Sequence, residues 1–160
     1  MVKKSVAPLV LLACSMMLAA CDTTPPAITT LMQQVTKASQ DRSMDEIRAC
    51  YAKEGVTSDQ IEQEVGSWDA YFDKGANWTY SGITYVSMAD APNNKSILPE
   101  SITMAQPTTI SGIKFAPNIK VLGFILVAFK QPDGTPAGAT EYVGIASDGT
   151  AKIVSVEPQH

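Results

Sequence analysis

Apolar side chains recur every three or four positions along the first half of the chain, and this spacing predicts three helices. Residues 27–40 form the first amphipathic segment. A second, shorter helix follows Ser43, and Glu46 three positions later completes the spacing of a capping box. The third begins after Thr57 and ends at Gly75, a residue that stops helices at low cost. The apolar stripe of this third helix consists of Ile61, Val65, Trp68 and Phe72.

Alternating polar and apolar residues in the second half predict strands with one buried face. Within residues 77–88 the alternation shifts by one position at Gly82, which predicts a β-bulge. Residues 101–115 offer two weak strands, and residues 118–130 are apolar on both faces, as in a central strand. Two Asp-Gly turns then separate the last strands. Helices first and strands later predict an α+β fold, with two to three N-terminal helices packed on an antiparallel, meander-like sheet of about four to five strands.

The first twenty residues follow a different pattern, because a basic start precedes an uncharged apolar run. Lys3 and Lys4 are followed by residues 5–20, which contain no charged side chain. A basic segment, an apolar segment and then small residues are typical of a secretory signal peptide. The run is shorter than the ~20 apolar residues that a membrane-spanning helix needs, and Pro8 interrupts it.

The segment Leu18-Ala19-Ala20-Cys21, directly after this run, resembles the lipobox of bacterial lipoproteins. In that family the cysteine is acylated and becomes the first mature residue. The resemblance therefore implies lipidation of Cys21, which would attach the protein to a membrane, and removal of residues 1–20. The alternative is an ordinary signal peptide that leaves a free or disulfide-bonded thiol. Residues 21–26 then form the acylated end and tether, and residues 27–160 a single domain.

Asp22, directly after the lipidation site, bears on which membrane holds the protein. In enteric bacteria, an aspartate at this position resembles the signal that retains a lipoprotein in the inner membrane. The resemblance implies the periplasmic face of the inner membrane, with the outer membrane as the alternative.

The charge of the chain bears on its class of partner, and its cysteine content bears on disulfide bonding. The chain has 12 basic and 16 acidic residues, and this acidic excess disfavours nucleic acid, which requires a basic surface. Cys14 leaves with the signal peptide and Cys21 takes the lipid, so Cys50 has no intramolecular disulfide partner. We expect Cys50 to be a buried, inert thiol on the second helix.

Few side chains have the spacing of a catalytic, metal or cofactor site. The single histidine, His160, is the last residue, and zinc-binding and phosphate-binding motifs are absent from the sequence. We therefore predict no metal, no cofactor and no enzymatic activity. Asp69 and Asp73 share one side of the third helix, and a hydrolase could use Asp69, Asp73 or Glu100. A solvated face opposite the apolar stripe explains the aspartate pair better.

Aromatic residues concentrate where the third helix meets the first strand. A core between helix and sheet is the preferred explanation, since Trp68 and Phe72 belong to the buried stripe. The competing interpretation is an aromatic-lined cleft or a protein-binding patch. The candidate binding cluster consists of Trp68, Tyr71, Trp78, Tyr80 and Tyr85.

We predict a non-catalytic module that binds another protein of the cell envelope. The prediction rests on the lipid anchor, the short tether, the lack of catalytic motifs and the aromatic cluster. The role of this module would be that of an accessory subunit of a secretion or transfer machine, an exclusion or immunity factor, or an inhibitor. The alternative is a small-ligand pocket, because helices followed by a curved antiparallel sheet resemble the cystatin and NTF2-like folds in element order. A carboxylate hydrolase is the third hypothesis.

Overall fold

The computed structural model describes residues 24–90 and 119–155, in which four helices precede four strands. The elements are α1 (Pro26–Asp41), α2 (Met44–Cys50), α3 (Ser58–Gly66), α4 (Asp69–Phe72), β1 (Thr79–Ser87), β2 (Lys120–Lys130), β3 (Pro136–Ile145) and β4 (Ala151–Ile153). The helices pack on one face of the sheet, and every neighbouring pair of strands is antiparallel. The predicted α+β fold is therefore confirmed.

Caps at the helix starts explain where the chain enters its helices. The hydroxyl of Ser43 accepts a hydrogen bond from the backbone N–H of Glu46 at 3.3 Å, and Thr57 accepts one from Gln60 at 3.2 Å. Such caps satisfy backbone donors that have no partner within the helix. Pro26 begins α1, a position where its missing N–H costs nothing.

The pattern predicts one continuous third helix up to Gly75, but this prediction is wrong. The structure ends α3 at Gly66 and starts the four-residue α4 at Asp69. In between, the N–H groups of Ser67 and Trp68 bond to carbonyls three positions back, at 3.1 and 2.9 Å, which tightens the last turn. Gly66 weakens the helix at this point, and the turn leaves Trp68 fully buried.

The sheet is a meander in the order β1-β2-β3-β4. The predicted bulge in β1 is confirmed, because its register with β2 shifts between Tyr80 and Gly82. β4 pairs only with residues 143–145 of β3. Along residues 136–141, therefore, no described strand lies on the side of β3 that faces away from β2.

The main core lies between the helices and one face of the sheet. Its buried members include Ile28, Leu31, Val35, Ile47, Val65, Trp68, Ile125, Val127, Phe129, Val143 and Ile153. Val86 and Phe124 alternate with this set and form a smaller apolar cluster on the opposite face. Cys50, the last residue of α2, is buried as predicted.

Several predictions fall on residues outside the described part of the chain. They concern the signal peptide, Cys21, Asp22, Glu100 and the two weak strands within residues 101–115. Among the described helices, none has the length and apolar character needed to cross a membrane.

Candidate functional site

Four of the five aromatic residues in the predicted binding cluster join one network of ring contacts between the helices and the sheet. Trp68 is fully buried and meets Tyr71 edge-on, with ring centroids 6.1 Å apart. Tyr71 stacks on Phe129 at 4.8 Å and meets Trp78 edge-on at 5.3 Å. Tyr80 contacts Phe129 at 6.1 Å. These rings therefore pack against one another and against the sheet.

Tyr85, the fifth member of the cluster, packs against the same core from the middle of β1. Its hydroxyl donates a hydrogen bond to the carbonyl of Leu122 at 3.1 Å. The hydroxyl of Tyr80 lies 2.9 Å from that of Thr36 on α1. The polar ends of both tyrosines are thus bound within the domain, and packing accounts for their positions.

The carboxylates considered for a hydrolase lie on the surface. Asp69 and Asp73 are exposed, and Asp73 accepts a hydrogen bond from the backbone N–H of Gly75 at 2.8 Å, as a turn-forming residue does. Neither lines the cleft described next.

The structure brings together two carboxyl residues that the sequence analysis did not single out, Glu64 and Glu141. Glu141 lies on β3 opposite Ile125, which is completely buried. The alternation of β3 places Glu141 on the same face as Val143, toward the helices. Glu64 belongs to α3, and its charge contributes to the pKa of Glu141. An acidic residue at an apolar position of the predicted strand was the signal that could have pointed to this site.

The two glutamates line a cleft of about 390 Å³ between α3 and the outer side of β3. The cleft lies where β3 has no described neighbouring strand on that side. Its lining includes Tyr51, Gln60, Glu64, Ser67, Glu141 and Tyr142. The residues that line the cleft therefore include carboxyl, amide and hydroxyl side chains, whereas the ring of Tyr142 packs on Phe124 on the opposite face of the sheet.

The carboxyl group of Glu141 is partly buried beside the cleft. Burial raises its pKa to about 8, and the negative charge of Glu64 adds to this rise. The residue as a whole keeps an exposed fraction, because it lines the open cleft. No hydrogen bond or ion pair joins its carboxyl group to another described residue. At neutral pH the group is therefore mostly protonated.

Two tyrosines next to this carboxyl group remain neutral. The hydroxyl of Tyr51 accepts a hydrogen bond from the indole N–H of Trp68 at 3.0 Å. Burial raises the pKa of Tyr51 well above its usual range, and the charge of Glu141 raises it further. Burial also raises the pKa of Tyr71, and the charge of Glu141 adds a smaller rise. Both hydroxyl groups consequently keep their protons, and the Tyr71 hydroxyl donates to the carbonyl of Gly138 at 2.7 Å.

Within residues 24–90 and 119–155, no group of three or more histidine, cysteine, aspartate or glutamate side chains could hold a metal ion. The charge of Glu64 opposes ionisation of Glu141, and this effect adds to that of burial.

The protein was compared with family models, curated proteins and solved structures. No family model matches the chain, and neither a curated protein nor a solved structure matches it.

Proposed function

We propose that the protein is a lipid-anchored, non-catalytic module that binds another protein of the cell envelope from the periplasmic side. The observation that carries the binding role is the partly buried carboxyl group of Glu141, which belongs to the lining of a cleft and makes no hydrogen bond to a described residue. A partner that donates a hydrogen bond to this carboxyl group would supply the interaction that the described residues do not.

The anchor and tether support a partner at the membrane. Lipidation of Cys21 would hold the chain at the bilayer, and α1 already begins at Pro26. Six extended residues span at most about 20 Å. The domain would thus remain close to the membrane, where envelope proteins are accessible to it. Asp22 favours the inner membrane over the outer membrane in this proposal.

A small-ligand domain is the second candidate function, and the size of the cleft favours it. A volume of about 390 Å³ falls within the roughly 300–1,000 Å³ of ligand pockets. The rings of Tyr71, Trp78 and Phe129 occupy the space between the helices and the sheet. A ligand would therefore bind beside β3 rather than near Trp78.

Site-specific photo-crosslinking in intact cells tests the protein-binding proposal. A photoreactive residue at Gln63, which lines the cleft, should form an adduct with one envelope protein. The same residue at Asp133, an exposed position in the β2–β3 turn, is the control and should form none. Cys21→Ser should remove the protein from the membrane fraction and greatly reduce the adduct. Equal adducts at both positions, or none at Gln63, would contradict the proposal.

A further inference from the structure

We propose that the outer edge of β1, together with the groove between β1 and α1, binds an extended segment of a protein partner as an additional β-strand. This surface is separate from the cleft beside Glu141, so the inference goes beyond the function proposed above. That function supplies only the place of the partner in the cell envelope. The strand-binding chemistry rests on β1 and α1 alone.

The first argument is the set of backbone groups that β1 directs away from β2. The N–H of Met88 donates to the carbonyl of Leu122 on β2 at 2.9 Å, and the register before it is regular back to the bulge. Successive residues of an antiparallel strand direct their backbone groups to opposite sides. The N–H and C=O groups of Ile83 and Tyr85 therefore point outward, and no hydrogen bond between described residues reaches them. An extended polypeptide backbone pairs with such groups.

The second argument is that this edge lacks the features that usually prevent pairing. Edge strands of natural proteins commonly carry lysine, proline or an inward-pointing charge. β3 has two of these features, since it begins at Pro136 and directs Glu141 toward the helices. β1 has no charged residue and no proline among its nine residues, and its bulge lies before Ile83. Residues 83–87 therefore form a regular edge that can accept a strand.

The third argument is the groove beside this edge, which has a volume of about 420 Å³. Its lining includes Thr29, Met32, Gln33, Thr36 and Lys37 of α1 and Ile83 of β1. Alternate side chains of a strand point to opposite faces of its sheet. The side chains of an added strand that point to the helix side would therefore enter the groove.

The charge and polarity of the groove indicate the chemistry of the partner segment. Lys37 is the one charged residue among the described lining residues, and its ammonium group already pairs with Asp41 at 2.8 Å and with Glu46. Met32 and Ile83 pack against the main core and give the groove an apolar floor. We therefore expect the partner's groove-facing side chains to be uncharged and mostly apolar, because the groove offers no free charge to pair with.

An extended segment fits this surface better than a second copy of the chain does. Pairing of two β1 edges would bring Ile83 and Tyr85 of the copy to the groove, but both side chains pack in their own core. The Tyr85 hydroxyl also donates to the carbonyl of Leu122 at 3.1 Å. The side chains of a partner segment are free to fill the groove. Thr24, three residues after Cys21, also lines the groove, so a lipid on Cys21 would place this segment close to the membrane.

Amide hydrogen exchange of the full mature protein in detergent micelles tests whether the edge is open. The N–H groups of Ile83 and Tyr85 should exchange more than about tenfold faster than those of Thr84 and Val86, which face β2. Slow exchange at Ile83 and Tyr85 would overturn the proposal. If it were independent of protein concentration, another segment of the same chain would cover the edge; if it appeared only at high concentration, a second copy would do so.

Short random peptides displayed on phage provide a probe for the added strand. Peptides selected on the purified protein should slow exchange at Ile83 and Tyr85 saturably. N-methylation of every second residue removes the donors on one side of a strand, so one of the two methylation patterns should weaken binding more than about tenfold and the other much less. Failure to select a peptide, or equal effects of the two patterns, would contradict strand addition.

Two adjacent glutamines of α1 offer a matched pair of variants. Gln33 and Gln34 are both exposed, but only Gln33 belongs to the groove lining. Gln33→Trp should fill the groove and weaken peptide binding more than about tenfold, whereas Gln34→Trp should bind like the wild type. Equal binding by the two folded variants would refute the role of the groove.

Photo-crosslinking in intact cells separates this surface from the cleft. A photoreactive residue at Gln33, but not at Gln34, should capture a segment of an envelope protein. A synthetic peptide of the captured sequence should then slow exchange at Ile83 and Tyr85, and a peptide without this effect would overturn the proposal. An adduct at Gln63 without one at Gln33 would refute the added strand and leave the proposed function intact. An adduct at Gln33 whose peptide protects the edge, without one at Gln63, would support the added strand and refute the role of the cleft.

Discussion

The indole N–H of Trp68 donates a hydrogen bond of 3.0 Å to the hydroxyl of Tyr51, and both side chains are completely or almost completely buried. Tyr51 also forms a backbone bridge with Ile153 of β4, and the N–H of Ala52 bonds to the carbonyl of Ile153 at 2.9 Å. The Trp68–Tyr51 bond therefore connects the turn between α3 and α4 to the segment that is attached to the sheet.

Removing either partner of this bond should destabilise the protein. Tyr51→Phe leaves the buried indole N–H without an acceptor, which costs roughly 1–3 kcal/mol of unfolding free energy. Trp68→Phe loses the bond and also leaves a cavity, so it should cost more. The double variant should lose less unfolding free energy than the two single variants together, because each single variant already removes the shared hydrogen bond. Urea unfolding measures all three, and strict additivity would contradict a direct interaction.

The parts of the fold that depend on local sequence were predictable. Ser43 and Thr57 cap helices within three residues of their own position, and the shift of alternation at Gly82 reveals the bulge in a single strand. The end of α3 at Gly66 was not predicted. There, the apolar stripe continues to Phe72 across a turn, so periodicity alone does not reveal the break.

The cleft could be predicted only in part, because its two carboxyl groups come from distant segments. Strand alternation places Glu141 on the buried face, but no local pattern shows that α3 brings Glu64 near it. Similarly, the ring network around Phe129 shows why Trp78 and Tyr80 are packed, whereas composition only showed that aromatic residues were concentrated there.

The titration of Glu141 should make the protein less stable as pH rises. Its pKa is raised from 4.5 to about 8 in the folded state by burial and then by Glu64. Between these values the folded protein binds more protons than the unfolded chain, so the free energy of unfolding falls with increasing pH. The contribution is complete below about pH 4.5 and is lost as the pH passes about 8.

Glu141→Gln should remove this component of the pH dependence. The variant should be more stable than the wild type at pH 9 by up to a few kcal/mol, since one pKa unit corresponds to about 1.4 kcal/mol. Urea unfolding from pH 5 to pH 9 measures the difference, with Asp59→Asn as the charge-matched control. A stability difference that stays constant over this range would contradict the raised pKa.

Two glycines should respond oppositely to alanine. A β-carbon at Gly123 would clash with the backbone carbonyl oxygen of Val86 and lie 2.9 Å from a ring carbon of Tyr85. Relief of the backbone clash requires β1 and β2 to move apart, so Gly123→Ala should cost about 1–3 kcal/mol or more. At Gly66, the last residue of α3, a β-carbon meets nothing within 4 Å. Gly66→Ala should leave the stability unchanged or raise it by up to about 1 kcal/mol. Thermal unfolding of both variants measures these effects. A destabilised Gly66→Ala variant or an unaffected Gly123→Ala variant would contradict this account.

The thiol of Cys50 should be inert in the folded protein. Its side chain is 2% exposed, and burial raises its pKa to about 11, although the positive charge of Lys152 opposes the rise. At pH 8 only about one thiol in a thousand is therefore ionised, and the thiolate is the reactive form. In the mature chain carrying Cys21→Ser, a thiol reagent such as DTNB should react slowly in buffer and rapidly in 6 M guanidinium chloride. Since Cys50 would be the only thiol left, fast reaction in buffer would show that α2 opens readily from the sheet.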